Sequence, residues 1–199
     1  MNSVIENIKG RRSIRKYEDK RISESVINQI IETGRYAPSS HNSQPWRFVV
    51  ITNRNRINEL SDMIKEWYKK LLRFKFLLGF SKGMKKLAEA VEKRAASDKD
   101  LFFYNASLVV LVCAKPGSFA LVDCSLAAQN MMLAARSLNI GSCWIGFADR
   151  AFVSKRLRAK AGVPDGLKVM ASLVFGYPAG KFPDAYPRDK EAKVVKWVK

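Results

Sequence analysis

Cysteine, histidine and acidic residues are scarce in this chain of 199 residues, and each shortage removes a class of function. The three cysteines, Cys113, Cys124 and Cys143, form no CxxC pair. They read as buried free thiols, which points to a reducing compartment. His41 is the only histidine, so a zinc site, which needs about four Cys, His or carboxylate ligands at suitable spacing, has no candidate cluster and no metal is expected. No stretch of about 18 residues or more is free of charge, so no membrane-spanning helix is expected. The opening MNSVIENIKGRR lacks the apolar core of a signal peptide, and the expectation is a soluble, cytoplasmic protein. GxxxxGK[ST] and GxGxxG are both missing, which leaves a P-loop and a Rossmann cofactor site without support. Eighteen Asp and Glu face thirty-six Lys and Arg, a net charge of +18. That excess favours phosphates, nucleic acid or anionic membrane surfaces as partners.

What is present describes a globular chain. Apolar residues make up 47% and charged residues 27%, near globular averages, and a chain of this length typically buries roughly 70% of its unfolded surface. No repeat or flexible linker divides it, so residues 1–199 read as one domain.

Ser3 and Glu6 have the spacing of a capping box, with Val4, Ile5 and Ile8 as the apolar side of a first short helix. Ser23 reads as the N-cap of a second helix, with Val26, Ile27, Ile30 and Ile31 on one face. It should end near Ala37, ahead of Pro38. Trp46 to Thr52 reads as a buried strand. Residues 55–94 look helical, and the middle, Trp67 to Phe80, is both aromatic and basic. Ser107 to Ala114 and Lys168 to Phe175 are two further strands. Leu121 to Leu138, apolar nearly all round, suggests a buried helix ended by Asn139 and Gly141. Gly141 to Gly146 reads as a short strand or turn, and Ala151 to Ala161 as a surface helix. A proline-containing basic tail follows Pro178. Interleaved helices and strands indicate an α/β or α+β sandwich.

Three segments can carry chemistry. Arg11, Arg12, Ser13 and Arg15 follow the first helix, and Arg presents a planar fork suited to phosphate. In an extended segment Arg11, Ser13 and Arg15 share one side. The plainer reading is a solvated basic turn. Ser39, Ser40, Asn42 and Gln44, between Pro38 and Pro45, supply groups that both donate and accept, fit for the edge of a polar heterocycle; an ordinary helix-to-strand connection is the alternative. His41 within that loop has no identifiable partner for a triad. Gly141 to Gly146 permits close backbone approach, and Trp144 offers a flat contact, although a core strand end would look the same.

Taken together, RRSIRKY (Arg11 to Tyr17), APSSHNSQPWRF (Ala37 to Phe48), GSCWIGF (Gly141 to Phe147) and FGYP (Phe175 to Pro178) resemble the FMN-dependent nitroreductase family over nearly the whole chain. The segment from about Met63 to Lys99 fits less well, and a helical insertion is expected at about 55–99. The resemblance implies an α+β fold, a three-layer α-β-α sandwich with a mainly antiparallel central sheet, built as an intertwined homodimer. It implies FMN as cofactor and NAD(P)H as donor, with two FMN sites at the subunit interface. Arg11, Arg12, Ser13 and Arg15 would come from one subunit, and Pro38, Ser39, Ser40 and Asn42 from the other. By the same analogy Arg11 and Ser13 serve the phosphate end, Arg15 the pyrimidine edge, and Gln44 the ring. Trp144, Ile145 and Gly146 would lie near the isoalloxazine, and Arg188 would reach the phosphate from the tail. A cation beside the pyrimidine stabilises reduced flavin, the kind of tuning a protein contributes to its cofactor. The implied cycle is ping-pong, with nitroaromatics, quinones or similar electron-poor small molecules as acceptors and no catalytic side chain beyond the flavin.

Other readings stay open within the same fold: deiodination, flavin fragmentation, azoline oxidation, or a flavin carrier without turnover. From another class, the charge allows a nucleic-acid or membrane-surface binding protein, although the lysines are dispersed and no nucleic-acid motif occurs, so no nucleic-acid partner is expected. The segment around Trp67, Tyr68, Leu71, Leu72, Phe74, Phe76, Leu77, Leu78 and Phe80 reads as a packed helical hairpin, a lid over the flavin slot, or a membrane-surface helix.

Overall fold

Strand alternation builds the architecture. In the central strand β2 (Leu108–Ala114) every residue is buried. Leu108, Val110, Val112 and Ala114 join one apolar cluster, and Val109, Leu111 and Cys113 join the other. Successive side chains of a strand point to opposite faces, so a strand apolar throughout needs cover on both sides. The computed structural model describes residues 2–73, 89, 91–94, 96–97, 100–185, 187–188 and 195–198.

Four strands form one sheet in the order β1 (Arg47–Ile51), β2, β4 (Lys168–Gly176), β3 (Gly141–Trp144), antiparallel at every step. The register places Val49 opposite Leu111 and Ser142 opposite Phe175. One face is covered by α2 (Glu24–Arg35) and α4 (Ala120–Ser137) through Ile27, Ile30, Ala127 and Met131. The other is covered by α3 (Arg54–Arg73), α5 (Gly146–Ala151) and α6 (Lys155–Ala161) through Ile57, Leu60, Ile64, Ala148 and Leu157. A further helix, α1 (Ser3–Gly10), lies along α4, where Asn7 Nδ2 donates to the Leu133 carbonyl at 2.9 Å. The result is a three-layer α+β sandwich.

Local chemistry accounts for most of the boundaries. Ser23 caps α2, its Oγ accepting from Val26 N–H. In α1 the cap is Asn2, whose Oδ1 accepts from Val4 N–H, so the helix begins with Ser3 rather than being capped by it. The helix read as Ala151 to Ala161 begins only at Lys155, and Ala151 closes the separate helix α5. Ser154 caps α6 by accepting from Leu157 N–H, and Gly162 ends it at φ 79°. Asn139, at φ 57°, carries the turn after α4. Gly141 matters for close packing instead. A Cβ there would stand 2.9 Å from Ile14 side-chain atoms, so the absence of a side chain lets the N-terminal segment lie against β3.

The helical stretch beginning near residue 55 enters the core at once, since Ile57, Leu60 and Ile64 are fully buried. Within it Tyr68 donates to the Phe147 carbonyl at 2.9 Å and stacks on Phe102, which matches packing for this part of the aromatic segment. Phe74, Phe76, Leu77, Leu78 and Phe80 lie outside the described residues. No helix among the described residues is long and apolar enough to cross a membrane.

Two apolar faces differ from expectation. Val4, Ile5 and Ile8 on α1 are exposed, and so are Leu121, Val122 and Leu126 on α4. The helix that reads as buried all round is covered on one flank only.

Candidate functional site

The chain leaves α1 in an extended course and joins the sheet edge. Ser13 forms a parallel bridge with Ser142, and Ile14 N–H donates to the Ser142 carbonyl at 3.0 Å. This brings the basic knot against the end of β3. Arg11, Ser13 and Arg15 act together on one atom there. Burial pushes the Cys143 thiol up, and Arg15, Ser13 and Arg11 beside it pull the other way. Arg12 takes a different course: its Nη1 donates to the carbonyls of Lys9 at 2.6 Å and Arg11 at 2.7 Å, closing the end of α1.

Arg15 then lines a cavity of about 330 Å³ together with Cys143, Trp144, Ile145 and Gly146. Tyr104, Phe147, Arg94 and Arg150 complete its wall. The volume is at the lower end for small-molecule sites. A Cβ built on Gly146 would meet nothing within 4 Å, so the backbone there is open to a close ligand. Trp144 is fixed by its indole N–H, which donates to Asp149 Oδ2 at 2.6 Å. Burial pushes the Asp149 carboxyl up, and the hydrogen bond from Trp144 opposes that shift.

The polar loop is a tight, self-bonded turn. Pro38 and Ser39 lead into a 3₁₀ turn, Ser40–Asn42. His41, Asn42 and Gln44 have φ of 53°, 52° and 44°, a region that residues other than glycine adopt at some cost. The loop compensates with internal bonds: Gln44 N–H to Ser39 Oγ at 3.0 Å and Gln44 Nε2 to Asn42 Oδ1 at 3.0 Å. The His41 ring lies 3.0 Å from Ser40 Oγ through Nδ1. Asp123, buried in α4, accepts from Ser40 N–H at 3.2 Å.

The structure therefore brings two of the three segments together and sets the third apart. The basic knot is tied to the C-terminal end of α4, where Arg136 Nε donates to the Gly10 carbonyl at 3.3 Å. The loop is tied to the N-terminal end through Asp123. Asp123 and Arg136 stand thirteen residues apart on α4, about 20 Å at 1.5 Å per residue. Arg188 is exposed in the tail, with no hydrogen bond to the knot among the described residues. Asp123, Asp149, Tyr104, Phe147, Arg94 and Arg150 were not singled out from sequence. Asp123 had a signal, being the one charged residue between Lys115 and Arg136.

Comparison with known proteins gives the family and the fold. The family model described as Nitroreductase family matches residues 8–177. A relative from Archaeoglobus fulgidus, which carries the provisional name NADH dehydrogenase/NAD(P)H nitroreductase, is 32% identical over 184 residues, covering 89% of this chain and 87% of its own. An FMN reductase (NADPH) from Bacillus subtilis is 25% identical over 181 residues, 90% of this chain and 67% of its own. The crystal structure of a nitroreductase with bound FMN from Bacteroides fragilis superposes with a TM-score of 0.82 at 31% identity, covering 98% of this chain and all of that one.

Proposed function

Because the chain belongs to the nitroreductase family, we propose that it is an FMN-dependent oxidoreductase that takes electrons from NAD(P)H and delivers them to electron-poor small molecules such as nitroaromatics or quinones. The observation that carries this reading is the convergence of Arg15 with the Cys143–Gly146 strand end on one cavity. The donor set fits the cofactor: guanidinium and hydroxyl groups for a phosphate and a pyrimidine edge, and an uncovered backbone at Gly146 for a flat ring. The FMN in the Bacteroides fragilis structure and the NADPH in the name of the Bacillus subtilis relative support it.

In this reading Arg11, Ser13 and Arg188 hold the phosphate end, and Arg15 sets a positive charge at the pyrimidine edge. Arg12 fixes the point at which the knot leaves α1. Trp144, Ile145 and Gly146 form the wall behind the ring, and Asp149 holds the Trp144 indole in place. FMN, when bound, supplies the two-electron carrier that lets donor and acceptor use one slot in turn, a ping-pong cycle. No side chain needs to act as nucleophile.

The loop of Pro38, Ser39, Ser40, Asn42 and Gln44 reaches the cofactor from a second copy of the chain. Its anchor on α4 lies about 20 Å from that of the knot, so within one protomer the two are far apart. The uncovered apolar faces of α1 and α4 supply the surface for a homodimer.

The test is to purify the protein, incubate it with FMN, remove unbound flavin and add NADH or NADPH. A yellow protein bleached by either donor is expected. A protein that stays colourless overturns the reading.

A further inference from the structure

We propose that the acceptor selected by this cavity is an anion: a flat, electron-poor molecule bearing a carboxylate or comparable acidic group, which Arg150 and Arg94 receive. This rests on the flavoenzyme reading and adds a substrate class to it. Three guanidinium groups, Arg15, Arg94 and Arg150, line one cavity of about 330 Å³, and no Asp or Glu among the described residues lines it with them. In the proposed function Arg15 serves the cofactor, which leaves two cations on the remaining wall. Arg150 is exposed and makes no ion pair among the described residues. The carboxylate next to it in sequence, Asp149, accepts from the Trp144 indole and is not part of the cavity wall. The Arg94 guanidinium lies 4.6 Å from the centre of the Phe147 ring, a stacked position that favours a planar fork. An anion beside the exposed Arg150 is attracted more strongly there than in bulk water, because the cavity walls have a low dielectric.

The rest of the wall suits a ring. Tyr104 and Phe147, apart from the wall given to the flavin, offer flat aromatic contact. Tyr104 is held in an uncommon conformation, φ 57°, followed by Asn105 at 55°. Asp100 secures that turn, its Oδ1 accepting from Phe102 and Phe103 N–H at 3.0 and 2.8 Å and its Oδ2 from Asn105 N–H at 3.0 Å. A backbone strained at a cavity wall and over-determined by hydrogen bonds is the pattern of a positioned ligand contact. The net charge of +18 draws the same class of molecule toward the protein.

The experiment compares 4-nitrobenzoate with its methyl ester as acceptors for the FMN-loaded protein, in the wild type, Arg150→Gln, Arg94→Gln and Arg150→Lys. It also measures direct binding of benzoate against benzamide by calorimetry. The acid is expected to be preferred over the ester in kcat/KM by roughly tenfold, the scale of one charge-assisted hydrogen bond. That preference should reside in KM and shrink as salt is raised. Each glutamine variant should remove most of the preference and weaken benzoate binding, and Arg150→Lys should keep part of both. Equal kcat/KM for acid and ester in the wild type, or a preference that survives both glutamine variants, overturns the proposal. So does an effect of those variants confined to the KM of NADH or NADPH, which would assign the cations to the donor phosphates. Reduction of the ester without preference for the acid defeats this proposal alone, whereas a protein that binds no FMN defeats the flavoenzyme reading beneath it.

Discussion

The Asp123 carboxylate, buried in α4, accepts the backbone N–H of Ser40 at 3.2 Å across 83 residues of sequence. A carboxylate acceptor strengthens a hydrogen bond, to about 1.5–3 kcal/mol. This one opposes the strain of a loop with three left-handed residues. Asp123→Ala should release the loop and weaken FMN binding roughly tenfold or more, since 1.4 kcal/mol is a factor of ten. Asp123→Asn keeps an acceptor oxygen and should lose less. Flavin titration followed by fluorescence gives both affinities. Wild-type affinity in the alanine variant would separate the loop from the cofactor.

Gly141→Ala tests the other half of the site. The added Cβ would stand 2.9 Å from Ile14 Cβ and Cγ1, closer than side chains approach without displacement. Overpacking of this kind costs about 1–3 kcal/mol. It would act on the segment that pairs Ser13 with Ser142. Thermal unfolding should show a lower Tm, and FMN affinity should fall with it. An unchanged Tm would mean that the N-terminal segment moves aside freely.

The elements were legible where local chemistry decides them. Ser23 announces a cap, and the β-branched runs in β1, β2 and β4 announce strands, each of which the structure places within a residue or two of expectation. The errors also have local causes. Asn2 and Ser3 are both good caps, and only the fold chooses between them. Ser154 is a cap inside what looked like one helix. The site was legible only as separate pieces. That Asp123 holds Ser40, that Arg12 closes α1, and that Arg94, Tyr104 and Arg150 meet at one cavity are contacts that depend on the folded chain. No periodicity encodes them.

Asp149 gives a pH prediction. Burial raises its carboxyl above the ordinary value of about 3.9. The folded protein therefore keeps a proton that the unfolded chain has already released. The stability carried by this group is full below the ordinary carboxylate range and is lost as pH rises through the raised value. Asp149→Asn removes the ionisation and keeps an oxygen for the Trp144 indole N–H. The variant should gain stability relative to wild type between mildly acidic and neutral pH, so the difference in Tm grows with pH across that interval. A constant difference would show that the carboxyl titrates alike in both states.

The last prediction concerns assembly. Val4 on α1 and Leu121 and Val122 on α4 are 62%, 57% and 56% exposed, and α1 lies along α4, so both helices present apolar side chains to a partner. In a dimer through this side, Val122→Glu would place an unpaired charge in the interface. Such a charge costs about 3 kcal/mol or more, a rise above roughly a hundredfold in the dimer dissociation constant. Sedimentation should find a dimer for the wild type and a monomer-dimer mixture or monomer for the variant. FMN affinity should fall in parallel although Val122 belongs to neither anchor. The reason is geometric: the knot and the loop are anchored at opposite ends of α4, so in the proposed reading one protomer offers each cofactor only part of its contacts. A monomeric variant that binds FMN as the wild type does would show that a single chain completes the site, and the role given to the Pro38–Gln44 loop would fall with it.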